Sequence, residues 1–208
     1  MNPSKTPARN VEMVAILRGL TIERAPEVGA AVVAAGFRTL EVPLNSPEPF
    51  HTIEVLVRQH PDCLVGAGTV LTTAEVDRVR GAGGKLVVAP NCDPVVIRSS
   101  LELDMRVLPG IATATEAFIA INAGATELKL FPAATYGPRH LKALKSVLPK
   151  HVRVYPVGGI GSQDIAEWLA SGADGFGFGG ELFSPAYTLA DIEKRAQALI
   201  EGLRAAAG

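Results

Sequence analysis

A repeating alternation constrains this chain more than any other feature. A short β-rich run leads into a helical stretch, a small-residue turn follows, and the next β-rich run begins. The pattern predicts strands at Met13–Leu17, Thr39–Pro43, Leu64–Ala67, Leu86–Ala89, Arg106–Leu108, Glu127–Phe131, Arg153–Val157 and Gly175–Phe178. Between and after them it predicts helices at Glu23–Ala35, Pro49–Gln59, Ala74–Ala82, Pro94–Leu103, Thr115–Asn122, Pro138–Leu148, Ser162–Ala170 and Leu189–Ala206. Asp93 before Pro94, and Thr188 before Asp191, are opening signals; Gly36, Gly83, Gly124 and Gly172 are closing ones. Eight such units in 208 residues, without a long insertion, predict a single-domain α/β protein, a (β/α)8 TIM barrel over residues 11–208. The rival is an open doubly wound sheet, which so short a chain with eight units disfavours. Residues 1–10 are polar and proline-containing and read as an N-terminal arm.

Chemistry in such barrels sits at the C-terminal ends of the strands and in the loops after them. Those positions hold Arg18, Glu41, Thr69, Pro90, Lys129, Phe131, Val157, Gly158, Gly159, Gly179 and Gly180. Lys129 is the most telling, because it lies between Leu128 and Leu130 in an apolar strand. Alternation along the strand turns the leucines toward the helices and Lys129 into the barrel, with Glu127 and Phe131. By the same rule Leu40 and Val42 face the helices, while Thr39 and Glu41 face inward. A desolvated lysine loses preference for its charged form and becomes an amine nucleophile. With a carboxylate to move protons, it forms an imine with a ketone, an electron sink for breaking a carbon–carbon bond. The plainer alternatives are a snorkelling strand-end lysine and a buried Lys–Glu ion pair.

No cofactor is needed for that chemistry, and no metal is expected. His51, His60, His140 and His151 fall in helices or at loop edges without ligand spacing and read as surface residues. Cys92 follows the fourth strand and is a candidate pocket-lining residue. The pairs Gly158-Gly159 and Gly179-Gly180 end strands seven and eight, where barrels of this kind bind phosphate through backbone N–H groups. Gly66-Ala-Gly-Thr-Val-Leu71 has leucine where a dinucleotide fingerprint needs its third glycine. A formal net charge of -1 without charge runs, and few aromatic residues, argue against nucleic acid or a membrane surface as partner. No run is long enough to span a membrane, the N-terminus lacks a signal-peptide core, and two cysteines fit a reducing compartment; the expectation is a cytoplasmic protein.

Five segments together resemble a known family: Glu41-Val-Pro-Leu-Asn-Ser-Pro47, Gly66–Leu71, Pro109-Gly110 with Thr113–Glu116, Lys129-Leu-Phe-Pro132 and Pro156-Val-Gly-Gly159. From about Val11 to Tyr187 the chain is similar to the short class I aldolases that cleave 2-keto-3-deoxy-6-phospho sugar acids. The resemblance implies a barrel, commonly a homotrimer, and cleavage to pyruvate and glyceraldehyde 3-phosphate. It implies Lys129 as the Schiff-base lysine, Glu41 as general acid/base, Arg18 and Thr69 at the pyruvate-derived portion, and Gly159, Gly179 and Gly180 at the phosphate. Asn45 and Val157 stand where gluconate-type members carry arginine and threonine, so both resemble the galactonate branch, acting on 2-dehydro-3-deoxy-6-phosphogalactonate. Gly180 departs from a serine common in relatives, which keeps an unphosphorylated acid in view. A phosphosugar isomerase or epimerase using Glu41 as base, and a non-catalytic anion-binding barrel, are the competing readings. Ala112, Ala114 and Ala133 are candidate interface positions.

Overall fold

The computed structural model describes residues 11–207, so the arm expected at 1–10 lies outside the described residues. The strands are β1 (Glu12–Ile16), β2 (Thr39–Pro43), β3 (Leu64–Gly68), β4 (Leu86–Val88), β5 (Arg106–Leu108), β6 (Gly110–Ile111), β7 (Glu127–Leu130), β8 (Arg153–Pro156) and β9 (Gly175–Phe178). The helices are α1 (Ala25–Ala35), α2 (Pro49–Gln59), α3 (Thr73–Gly81), α4 (Pro94–Glu102), α5 (Ala114–Asn122), α6 (Ala133–Lys145), α7 (Ile165–Ala170) and α8 (Leu189–Ala207). All pairings are parallel, in the orders β5-β4-β3-β2-β1-β9 and β6-β7-β8.

Two seams join these sheets into a barrel. Val157 bridges to Gly177, linking the end of β8 to β9. At the other seam β5 and β6 act as one strand interrupted by Pro109, which has no N–H to offer a ladder. Before Pro109 the strand pairs with β4, after it with β7, and the Pro109 carbonyl accepts from Lys129 N–H at 2.8 Å. Gly110–Ile111 is therefore a continuation that the alternation pattern alone misses. Two helices also differ from expectation. The stretch read as Ser162–Ala170 is helical only from Ile165, and α6 begins at Ala133 with a break at Gly137 (φ 75°, ψ 168°) before Pro138.

Capping follows from side-chain chemistry. Asp93 accepts from Val95 N–H at 2.8 Å, and Thr72/Glu75 and Thr113/Glu116 form reciprocal capping boxes at α3 and α5. Leu40, Val42, Leu128 and Leu130 are wholly buried in the layer beneath the helices. Leu86, Val88, Leu108 and Tyr155 form a separate cluster inside the barrel. So small a barrel needs space inside as well as filling: a Cβ on Gly175 would lie 2.2 Å from the Tyr155 ring.

The N-terminal ends of the strands carry an inward network of charge. Arg106 donates to both oxygens of Glu12 at 2.6 Å, to Glu127 and to the Tyr155 hydroxyl at 2.9 Å. Arg153 donates to Glu127 at 3.1 Å, and Thr39 to Glu12. A cavity of about 510 Å³ at this pole, bordered by Glu12, Arg38, Arg153 and Asp174, is larger than the one at the opposite pole but far from Lys129.

Candidate active site

Lys129 is 6% exposed, its amine 4.7 Å from the centre of the Phe131 ring. Burial pushes its pKa below the ordinary lysine value; the Glu41 charge works against that shift and the Arg18 charge adds to it. Glu41 is 1% exposed. Burial pushes its carboxyl up to about 7, against the opposing pull of Lys129 and Arg18. No ion pair within 4.0 Å joins the two residues, and Glu41 Oε2 is buried without a protein donor. Burial thus works against the charged form of both groups, easing loss of the lysine proton and bringing the carboxyl to titrate near neutrality.

Gly68 makes room for that carboxyl. A Cβ at this position would lie 2.0 Å from Glu41 Oε2 and 2.4 Å from its Cδ. Pro43 pairs with Gly68 and Glu41 with Gly66, so the carboxyl leans along the strand direction toward the barrel mouth. Thr69 follows at φ 57°, an uncommon conformation for a residue with a side chain, and is partly exposed. Arg18 lies exposed at the mouth, where it donates to Asn45 Oδ1. Next to it the Gly19 N–H donates to Ser46 Oγ at 2.9 Å, tying the loop after β1 to the loop after β2.

Lys129 opens into a cavity of about 170 Å³ that is also lined by Arg18, Phe131 and Val157. Gly158, Gly159, Gly179 and Gly180 line the same cavity. Gly158 (φ 98°) and Gly159 (φ 72°) adopt left-handed backbone that a side chain would strain. The N–H groups of Gly159, Ile160, Gly180 and Glu181 find no acceptor among the described residues. Leu182 and Phe183 instead donate to the Gly179 carbonyl at 2.8 and 2.9 Å, closing a turn that carries Gly180 and Glu181. Such a set of free N–H groups favours an anion.

The remaining candidates fall elsewhere. Glu41 lies deeper than the cavity wall, Thr69 beside Gly68, and Pro90 against the next strand, its carbonyl 2.3 Å from where a Cβ on Gly110 would be. Cys92 does not line the cavity: its thiol, pushed up by burial, donates to the Glu116 carbonyl at 3.3 Å. Nor are all the histidines surface residues, since His60 and His140 are half-buried and His140 Nε2 meets the Ala112 carbonyl at 2.6 Å. No group of three or more His, Cys, Asp or Glu side chains among the described residues is placed to hold a metal. Sequence reasoning missed Ile16, Ile160 and Glu181 in the cavity wall, and gave no role to the strand-end glycines Gly177, in the wall, and Gly68, behind Glu41. Ile16 and Gly177 share the inward parity of Arg18 and Gly179, so the alternation rule contained that signal.

Comparison with known proteins gives a consistent result. Residues 5–198 match the family model described as KDPG and KHG aldolase. A probable 2-dehydro-3-deoxy-6-phosphogalactonate aldolase of Rhizobium meliloti (strain 1021) is 44% identical over 197 residues, 94% of this chain and 93% of that protein. The 2-dehydro-3-deoxy-6-phosphogalactonate aldolase of Escherichia coli (strain K12) is 42% identical over 195 residues, 93% of this chain and 95% of that protein. A solved structure described as native KDPGal superposes with a TM-score of 0.93 at 41% identity, covering 95% of this chain and 96% of that one.

Proposed function

The chain belongs to the KDPG and KHG aldolase family, and from that premise we propose that it cleaves 2-dehydro-3-deoxy-6-phospho-D-galactonate to pyruvate and D-glyceraldehyde 3-phosphate through an imine on Lys129. The observation that carries this reading is the meeting, in one cavity, of a desolvated lysine and a row of unpartnered backbone N–H groups. The amine accounts for the bond cleavage and the N–H groups for the phosphate.

The steps balance with these groups alone. The neutral Lys129 amine adds to the C2 ketone, and the carbinolamine takes a proton from the Glu41 carboxyl and loses water, giving a protonated imine and the Glu41 carboxylate. Glu41, as carboxylate, takes the proton from the C4 hydroxyl. The C3–C4 bond breaks, its electron pair moving into the C2–C3 bond of an enamine, and the aldehyde leaves. The protonated Glu41 returns its proton to C3, and water then hydrolyses the protonated imine to pyruvate and free amine, the released proton going back to Glu41. Arg18 sits at the mouth to pair with the substrate carboxylate, and Thr69, beside Gly68, contributes a hydroxyl at the same end. Val157 offers a methyl-bearing wall to the hydroxyl-bearing carbons, so configuration is selected without a hydrogen bond from that side chain.

Steady-state cleavage of the phosphogalactonate and phosphogluconate keto-deoxy acids, with pyruvate release coupled to a dehydrogenase, tests this. The phosphogalactonate compound is expected to give the highest kcat/KM; an equal or lower value sinks the substrate assignment. Borohydride with pyruvate is expected to inactivate the enzyme and label Lys129, and an active, unlabelled protein sinks the imine. One observation favours a second substrate class: Gly180 has no side-chain donor and Glu181 brings a carboxylate to the cavity wall. Unphosphorylated 2-keto-3-deoxy acids are therefore the second substrate set to assay.

A homotrimer is part of the same reading. Its support is the exposed apolar set Val95, Phe118, Ile119 and Tyr136 on α4, α5 and α6. Ala133 is wholly buried and cannot be an interface residue, leaving only Ala112 and Ala114 of the small positions expected there. Sedimentation equilibrium at the mass of one chain would remove the trimer. No helix among the described residues is long and apolar enough to cross a membrane, and free Cys63 and Cys92 fit a cytoplasmic site of action.

A further inference from the structure

The turn that carries Gly180 is held from outside the cavity by two side chains, Tyr187 and Arg195. Tyr187 donates its hydroxyl to the Gly180 carbonyl at 3.1 Å. Its ring lies under the Arg195 guanidinium at 4.3 Å, and Arg195 also donates to the Glu181 carbonyl at 3.3 Å. The Tyr187 backbone is fixed in turn, because its carbonyl accepts from Arg24 at 3.0 Å and its N–H donates to the Ser184 carbonyl at 3.0 Å.

What this anchoring controls follows from peptide geometry. In a trans peptide the C=O and the next N–H point in opposite directions. Holding the Gly180 carbonyl toward Tyr187 therefore turns the Glu181 N–H the other way, onto the side where Gly180 and Glu181 border the cavity. Leu182, Phe183 and Arg195 bond the carbonyls on either side, those of Gly179 and Glu181, so among the described residues Tyr187 is the one hydrogen-bond partner of the Gly180–Glu181 peptide itself. A Cβ on Gly180 would meet no atom within 4 Å, and glycine tolerates either orientation of the following peptide. A flipped peptide would present a carbonyl oxygen to the anion instead of an N–H.

We propose that Tyr187 is a positioning residue for the phosphate end of the substrate, latching the Gly180–Glu181 peptide with its N–H toward the cavity. This rests on the phosphate reading given above and assigns a specificity role to a residue that does not itself line the cavity.

The test compares Tyr187→Phe with the wild-type enzyme on the phosphorylated and unphosphorylated forms of the same keto-deoxy acid. The variant keeps the ring under Arg195 and removes only the hydroxyl. KM for the phosphorylated acid is expected to rise roughly five-fold, the scale of one hydrogen bond, with kcat within about two-fold. The unphosphorylated acid should keep its kcat/KM, and borohydride trapping of pyruvate should be unchanged, which a general loss of structure would not allow. Wild-type preference for the phosphorylated acid that Tyr187→Phe leaves intact overturns the latch alone, as does an equal loss on both acids. A wild-type enzyme that shows no such preference overturns the phosphate reading and the latch with it.

Discussion

Glu127 and Lys129 stand two residues apart on the same inward face of β7, roughly 7 Å along the strand, and meet opposite fates. Glu127 belongs to the N-terminal pole, where charge is matched by charge: Arg106, Arg153 and Tyr155 all donate to it. At that pole burial pushes Glu12 up, but hydrogen bonds from Arg106, Thr39 and Tyr155 bring it below the ordinary carboxylate value. Arg106 is likewise held in its charged form by Glu12 and Glu127 in spite of burial. At the C-terminal pole Lys129 and Glu41 are buried more completely, with no ion pair between them. The same interior thus fixes charge where partners are complete and loosens protons where they are not. Pairing, more than burial, separates the structural pole from the one proposed to be reactive.

The largest test of that contrast is Lys129→Arg. Arginine keeps the charge but cannot lose a proton near neutrality, so it has no amine lone pair to offer. Cleavage should fall by about four orders of magnitude or more in the coupled pyruvate assay. Retention of a tenth of the activity would mean that the lysine acts only as a charge and would remove the imine from the reaction. The matching change at the other pole is Arg106→Met, which strands Glu12 and Glu127 without their shared partner. Urea unfolding should show a loss of about 3 kcal/mol, while kcat of the folded enzyme stays within about two-fold. If kcat falls with stability, the two poles are not separable.

Gly68→Ala probes how closely the carboxyl proposed to move protons is seated. The new Cβ would lie 2.0 Å from Glu41 Oε2, so the carboxyl must move. Cleavage should slow roughly 100-fold, the scale of an ångström-sized misplacement. Trapping of pyruvate on Lys129 by borohydride should survive, because the amine is untouched. Loss of trapping as well would show that Gly68 supports the whole strand end and not Glu41 alone.

Strand parity made much of this legible in the sequence. It turned Lys129 and Glu41 inward and Leu128 and Leu130 outward, and the glycine pairs announced themselves at strand ends. The same rule applied to strand starts would have gathered Glu12, Thr39, Arg106, Glu127 and Arg153 into one inward ring. It could not place Cys92 or Pro90, because loop residues have no period to read. Nor could it reveal Gly68 as the seat of Glu41, which depends on the register of β2 against β3. The contact between Tyr187 and Gly180 was hidden for a similar reason, since it depends on the path of the loop between β9 and α8. The double pairing across Pro109 needs the closed barrel before it means anything.

The smallest expected effect is on stability, and its sign separates the two poles most cleanly. Glu41 in the folded protein titrates near 7, above its ordinary value of 4.5. Between those values the folded state holds a proton that the unfolded state has released, so stability falls as pH rises through this window. Below pH 4.5 the carboxyl is neutral in both states, and Glu41→Gln should be close to neutral. Above pH 7 the wild-type protein carries a desolvated carboxylate that the variant lacks. At about 1.36 kcal/mol per pH unit the window amounts to roughly 3 kcal/mol, part of which is offset because Lys129 loses its opposite charge. Glu41→Gln should therefore stabilise the fold by about 2 kcal/mol at pH 8 and by far less at pH 4.5, read from urea midpoints at the two pH values. Glu12→Gln should do the reverse, costing stability at pH 8 and little in acid, since its carboxylate is held below the ordinary value. If both variants shifted in the same direction with pH, the carboxylates at the two poles would be in the same state, and the reactive character assigned to Glu41 would have no electrostatic basis.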